Sequence, residues 1–152
     1  MFTCSKSYSD IPFAHRQPHH TGQCSFIHGH NWSFRFTFGC QELDESGFVV
    51  DFSNLRFIRD WLMENLDHAF LHNLDDAVSQ KMVDQFREAF RPYPLESCSA
   101  EGIAQHVFHT IEPLLKEHHG ERVFLVALEV FEDDKNAAEF RKVPSPFESR
   151  SG

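Results

Sequence analysis

His28-Gly29-His30 puts two imidazoles at positions i and i+2. In an extended backbone such side chains leave on the same side, so both can reach one metal ion. Gly29 removes the side chain that would otherwise crowd the approach. Two histidines are incomplete for a catalytic zinc, which takes three protein ligands and keeps a position open. His15 supplies the third if the strand it ends pairs beside the strand that carries the other two. Three neutral imidazoles would leave the ion's charge unneutralised, and it would remain a strong Lewis acid. The alternative is that His28 and His30 are ordinary polar residues at a strand entrance.

Cys24 stands four residues before His28. A thiol beside a dication and imidazoles is acidified and becomes a candidate base or nucleophile; a small buried hydrophobe is the commoner fate of a single cysteine. Asp67-His68 sets a carboxylate against an imidazole, a pair that can orient and charge a proton-exchanging ring, although adjacent Asp-His pairs also arise by chance. Glu132 ends the most apolar run of the chain, where a carboxylate is costly unless it meets a donor or water; a solvated strand end beside Asp133 and Asp134 is the plainer explanation. The remaining histidines read as loop or solvated-helix positions, with no carboxylate or thiolate at a spacing that would build a second metal site.

These groups need a scaffold, and the hydrophobic pattern supplies one. Met1 to His15 reads as an irregular strand that ends near Pro12. From Asn31 the run NWSFRFTFG alternates strictly, with Trp32, Phe34, Phe36 and Phe38 on one side, the period of a sheet with one buried face. FVVDF reads as a short returning strand. Ser53 then caps a helix through Leu55, Ile58, Leu62 and Leu66, and Ser99 opens a second through Ile103, Val107, Ile111 and Leu115. VFLVALEVF is a central strand, and Ala137 to Val143 forms a last one. Leu74 to Ser97 is ambiguous: DDAVSQKMVDQFREAF is compatible with a helix and RPYPLES is not. The order strand, strand, helix, helix, strand, strand predicts an α+β domain with two helices on one face of an antiparallel four-stranded sheet. One domain is expected over 1–142, with a loose tail at 143–152.

The 152 residues fit one domain. Seventeen Phe against two Tyr and two Trp suggest apolar faces shared between subunits. The formal charge of −9 disfavours nucleic acid as a partner. No apolar run approaches the ~20 residues of a bilayer-spanning helix, and the opening MFTCSKSYSD lacks a secretory signal, so a cytoplasmic protein with free thiols is expected at all four cysteines.

Taken in order, the pieces resemble the 6-pyruvoyl-tetrahydropterin synthase / 6-carboxytetrahydropterin synthase family. They are Phe13-Ala14-His15-Arg16, Cys24-x-x-x-His28-Gly29-His30-Asn31, Gly47-Phe48-Val49-Val50-Asp51-Phe52, Leu66-Asp67-His68 with Leu71-His72-Asn73, Ser99-Ala100-Glu101, and Leu128-Glu129-Val130-Phe131-Glu132. The resemblance implies the T-fold, ββααββ, with subunits assembled into barrels as homo-oligomers, usually hexamers built as dimers of trimers. It implies Zn2+ held by His15, His28 and His30, with Cys24, Asp67 and His68 as the proton-transfer set and Glu132 accepting from the N–H groups of the pterin ring. Asp67 and His68 would then reach a neighbouring subunit's zinc.

The substrate it implies is 7,8-dihydroneopterin triphosphate, and the expected product is 6-carboxy-5,6,7,8-tetrahydropterin, a step toward queuosine and other deazapurines. The alternatives are pyruvoyl-tetrahydropterin formation with the same residues and a non-catalytic zinc or pterin binder. Lys6 and Arg16 are the candidate triphosphate-binding cations. The chain departs from the family at Asp133, where a Thr is usual, and in the long stretch from Leu74 to Ser97.

Overall fold

Strand β2 (His28–Cys40) forms where the aromatic alternation places it, and Trp32, Phe34, Phe36 and Phe38 are all fully buried. In this computed structural model, which describes residues 1–143, β2 lies at the centre of the sheet. It pairs antiparallel with β1 (Phe2–His15) on one side and with β5 (Phe124–Phe131) on the other. Strand β6 (Ala137–Arg141) pairs antiparallel with β5 at one edge. Of the expected tail at 143–152, only Val143 lies within the described residues.

The sheet has six strands, in the order β4-β3-β1-β2-β5-β6, and not the expected four. The two additional strands, β3 (Phe70–Asn73) and β4 (Pro92–Leu95), run parallel to β1 and to each other, so the sheet is mixed. Both were hidden for physical reasons. All four residues of β3 are buried, so it has no alternation to read. Strand β4 contains two prolines, which argue against a strand unless it lies at an edge, where an amide may go unpaired.

Helix α1 (Arg56–Asn65) buries Ile58 and Leu62, and α3 (Ala100–His119) buries Ile103, Val107, Ile111 and Leu115 against the same face. Ser99 caps α3 as expected, its Oγ accepting from the Gly102 N–H at 3.0 Å. A third, short helix, α2 (Ala77–Gln85), forms within the run DDAVSQKMVDQFREAF, whose pattern allows a helix, and is capped by Asp76. The cap of the first helical segment is Asp51 and not Ser53: Asp51 Oδ1 accepts from Ser53 N and Oγ, and a 3-10 turn at Phe52–Leu55 leads into α1.

The expected returning strand at FVVDF does not form. Val49 and Val50 are buried there, but the segment makes no strand ladder. Arg122 donates to the carbonyls of Glu42, Phe48 and Val49, and Asp44 Oδ1 accepts from Ser46 N and Phe48 N. Side chains thus satisfy backbone groups that a second strand would have paired.

Between Tyr8 and Ile11 the register of β1 against β2 shifts by a bulge. Asp10 sits there at φ +62° and accepts from Asn31 Nδ2 at 3.0 Å. Because side chains alternate with period two, the extra residue reverses the phase of everything after it. Tyr8, Ile11, Phe13 and His15 consequently all face the core. Among the described residues no helix is long and apolar enough to cross a membrane.

Phe36 is fully buried and lies on β2 well away from the histidines. Phe36→Ala should cost about 3–5 kcal/mol in chemical denaturation through lost burial and a residual cavity. A loss under ~1 kcal/mol would show that this face is not the close-packed centre described.

Candidate metal centre and active-site cleft

The register of β1 on β2 sets His15 opposite His28 and Phe13 opposite His30. Alternation carries both β2 imidazoles to the core side, and the β1 bulge brings His15 to the same side. One ring nitrogen from each of His15, His28 and His30 lies within 4.8 Å of the others. The indole of Trp32 forms the floor, edge-on to His15 and His30 at 5.0 and 5.1 Å between ring centres. Trp32 is itself fixed by a stacked Phe13 at 4.5 Å and by donation from its Nε1 to the Phe13 carbonyl.

Two of the rings are oriented by carbonyls. His15 Nδ1 donates to Cys98 O at 2.7 Å, and His28 Nδ1 donates to Phe26 O at 2.8 Å. Since a carbonyl only accepts, the proton of each ring sits on Nδ1, and Nε2 presents a lone pair. The Nε2 atoms of His15 and His30 are buried with no hydrogen-bond partner among the described residues. An unsatisfied buried polar atom costs ~1–3 kcal/mol, and two of them facing one point is the electrostatic situation that a cation relieves. Burial pushes the His15 imidazole down to about 4, opposed by its bond to Cys98 and reinforced by the neighbouring His28 and His30. The donor set therefore fits a divalent ion that favours neutral nitrogen ligands, zinc among them.

A cleft of about 650 Å³ is lined by His19, His20, Cys24, Glu101, Glu132 and Lys135, and Glu132 joins it to the three rings. Cys24 is exposed on a short 3-10 turn, Gln23–Ser25, and its carbonyl accepts from Gln17 N at 2.7 Å. Glu132 Oε1 stands 3.9 Å from His15 Nε2, too far for a hydrogen bond. The departure at Asp133 has a structural role. Its carboxylate accepts from the backbone N–H groups of Lys135 and Asn136 and from Asn136 Nδ2, bonds that hold it below the usual carboxylate range. Asp133 thus shapes the turn that delivers Glu132 and Lys135 to the cleft, and its oxygens are occupied by that turn.

Other expected site residues lie elsewhere in the protomer. Asp67 Oδ2 and His68 Nδ1 pair at 2.9 Å with His68 exposed. His68 lies on the β3 side of β1, its N–H donating to Pro12 O, and shares a shallow depression with Phe13, Gly29 and His30. Neither Asp67 nor His68 lines the cleft that holds Cys24 and Glu132. Arg16 is turned to Asp76 at 3.0 Å. Burial alone would raise the Asp76 carboxyl, but hydrogen bonds from Ser79 and the Arg16 charge hold it below its usual range. Lys6, nine positions up β1 and on the order of 30 Å away, donates to Phe52 O and lines a separate groove with Tyr8, Arg56 and Arg59. His72, read from sequence as a surface residue, is buried. Cys98 is an inert thiol pushed up to about 12 by burial.

Two contributors escaped the sequence reading: Lys135 and the Cys98 carbonyl. Lys135 had a signal, being three residues beyond Glu132 in a strand-connecting turn. A backbone carbonyl has none.

The sequence profile of the family described as 6-pyruvoyl tetrahydropterin synthase matches residues 4–143. The chain belongs to that family. Within it, a 6-carboxy-5,6,7,8-tetrahydropterin synthase of Rickettsia bellii is 30% identical over 134 residues, covering 87% of this chain and 94% of the relative. A protein of the same name from Synechocystis is 33% identical over 112 residues, 69% of this chain and 73% of the relative. The fold matches an uncharacterized protein from Wolinella succinogenes with a TM-score of 0.80 at 16% identity, covering 93% of this chain and 98% of that one. It also matches the Caenorhabditis elegans 6-pyruvoyl tetrahydropterin synthase with a TM-score of 0.64 at 20% identity, over 93% and 96% of the two chains. The architecture is the T-fold of these enzymes.

His15 gives the metal-free protein a defined pH dependence. Its ring is neutral when folded down to about pH 4 and titrates near 6.5 when unfolded. The unfolded chain therefore takes up a proton first, and stability falls as pH drops from 6.5 to 4 and levels off below. The contribution is on the order of 3 kcal/mol. Denaturation of metal-free protein across this range should be steeper in pH than that of His15→Gln; equal slopes would contradict a neutral buried ring.

Proposed function

We propose that the protein is a zinc-dependent lyase of the cytoplasm that converts 7,8-dihydroneopterin triphosphate and water into 6-carboxy-5,6,7,8-tetrahydropterin, releasing acetaldehyde and triphosphate, in queuosine and other deazapurine synthesis. The observation that carries this reading is the meeting of His15, His28 and His30 around two unpartnered buried nitrogens beside a cleft that holds Cys24 and Glu132. Relatives bearing the carboxytetrahydropterin synthase name over most of their length support the choice of product.

His15, His28 and His30 would hold the ion through neutral nitrogens. Zinc so bound supplies Lewis-acid polarisation of the substrate's side-chain oxygens. Cys24, exposed at the cleft, is then placed to accept a proton from the adjacent carbon as a thiolate. Glu132 at the cleft wall accepts from the N–H groups of the pterin ring, giving orientation. Lys135 is the cation of this cleft, and we assign it the triphosphate, because Arg16 is engaged by Asp76 and Lys6 lies in another groove within the protomer.

Asp67 orients and charges His68 for a second proton transfer. The pair lines no part of this protomer's cleft, with His68 exposed, and we assign it to a neighbouring copy's cleft in a homo-oligomer, the hexamer built as a dimer of trimers that the family resemblance implies. One T-fold domain, 1–142, carries all these groups.

Incubation with dihydroneopterin triphosphate should release acetaldehyde and yield the carboxy product by mass spectrometry, with one zinc per chain in the same sample. A pyruvoyl product without acetaldehyde assigns the other branch; zinc and pterin bound with no turnover assigns a non-catalytic binder. Cys24→Ala should lose about 100-fold or more in turnover while keeping zinc, the scale of a proton-transfer group. Lys135→Ala should raise KM several-fold with kcat little changed, as expected for a phosphate contact of ~1 kcal/mol; an unchanged KM removes Lys135 from triphosphate recognition.

A further inference from the structure

We propose that Asn73 is a positioning residue for the metal ligand His15, acting through the Cys98 peptide. The proposal rests on the metal reading above and deepens it.

His28 takes its orientation from a carbonyl two residues away in its own strand approach. His15 takes its orientation from Cys98 O, 83 residues along the chain. Cys98 belongs to neither a strand nor a helix; it lies between β4 and the Ser99 cap of α3, with its side chain fully buried. Its carbonyl direction must therefore be set by something else. On the far side its N–H donates to Asn73 Oδ1 at 2.8 Å, and Ser99 is held by the α3 cap. Asn73 is 6% exposed at the end of β3.

The path is thus continuous: the Asn73 amide fixes Cys98, and Cys98 O holds the proton of His15 on Nδ1, leaving the Nε2 lone pair aimed at the ion. Outer groups of this kind set the tautomer and ring angle of a ligating histidine. The anchor is itself braced. Leu74 N donates to Leu95 O, Ala14 N donates to Ala69 O, and Arg16, adjacent to His15, is ion-paired to Asp76. The segment from Leu74 to Ser97 therefore has a role: it carries β4 and the Asp76 brace that hold the Asn73 end of β3 against the end of β1.

Asn73→Leu keeps approximate volume and leaves the Cys98 N–H without an acceptor. Zinc affinity, measured by competition with a chromophoric chelator, should fall about 10–100-fold, and the visible spectrum of the cobalt(II)-substituted protein should shift. Asn73→Asp retains an acceptor oxygen and should stay within about threefold of the parent. Tyr8→Phe, which removes a buried hydroxyl bonded to Leu55 O outside this path, should lower stability without changing zinc affinity or the cobalt spectrum. If Asn73→Leu does not fold, Asn73→Ser, too short to reach Cys98, carries the same expectation.

In metal-free protein, long-range proton–nitrogen NMR should find His15 as a single Nδ1–H tautomer in the parent and as a mixture in Asn73→Leu. Zinc affinity within about threefold of the parent in Asn73→Leu, with an unchanged tautomer, overturns the proposal. A parent that binds no zinc overturns the metal reading instead, and the tautomer measurement alone then decides whether Asn73 orients His15.

Discussion

Two imidazole nitrogens, buried and without hydrogen-bond partners among the described residues, lie close together at the end of a sheet whose core is otherwise sealed with aromatic rings. A folded chain does not maintain such unsatisfied polar atoms without compensation, since each costs ~1–3 kcal/mol. Everything around the site serves to keep them there. The β1 bulge turns His15 inward, Trp32 closes the floor, and the carbonyls of Phe26 and Cys98 fix two of the three rings.

The candidate groups fall in two places. Glu132 joins the imidazoles to the cleft with Cys24 and Lys135, while the Asp67–His68 pair lies outside that cleft. A protomer thus holds the candidate groups of an active site without their union. In the proposed assembly a neighbouring copy completes it, so catalysis and association become one property. Glu132 and Lys135 enter the cleft on the β5–β6 turn, whose shape depends on Asp133. The carboxylate at 133, where the family usually has Thr, is a turn device.

The central strands and both long helices were legible because their signals are local. The Trp32-to-Phe38 alternation and the apolar spacing of α1 and α3 need no knowledge of partners. The candidate metal set was legible for the same reason at His28 and His30, while His15 depends on a pairing of β1 with β2 that the register shows. What stayed hidden depends on distant contacts. Strands β3 and β4 exist because they add to the edge of β1, the segment at Phe48 and Val49 fails to make a strand where Arg122 takes their carbonyls, and the orientation of His15 is set by a carbonyl with no sequence signature. Lys6 and Arg16 looked alike as cations flanking a ligand, and only the packing of Asp76 and the length of β1 separate them from the cleft.

The central claim is that three neutral imidazoles from β1 and β2 hold one ion with a position left open. Zinc K-edge X-ray absorption on protein purified without added chelator addresses it directly. The account predicts three imidazole nitrogens at about 2.0–2.1 Å and a light non-protein scatterer, with no sulfur. A sulfur shell near ~2.3 Å, or a four-nitrogen closed site, would contradict it.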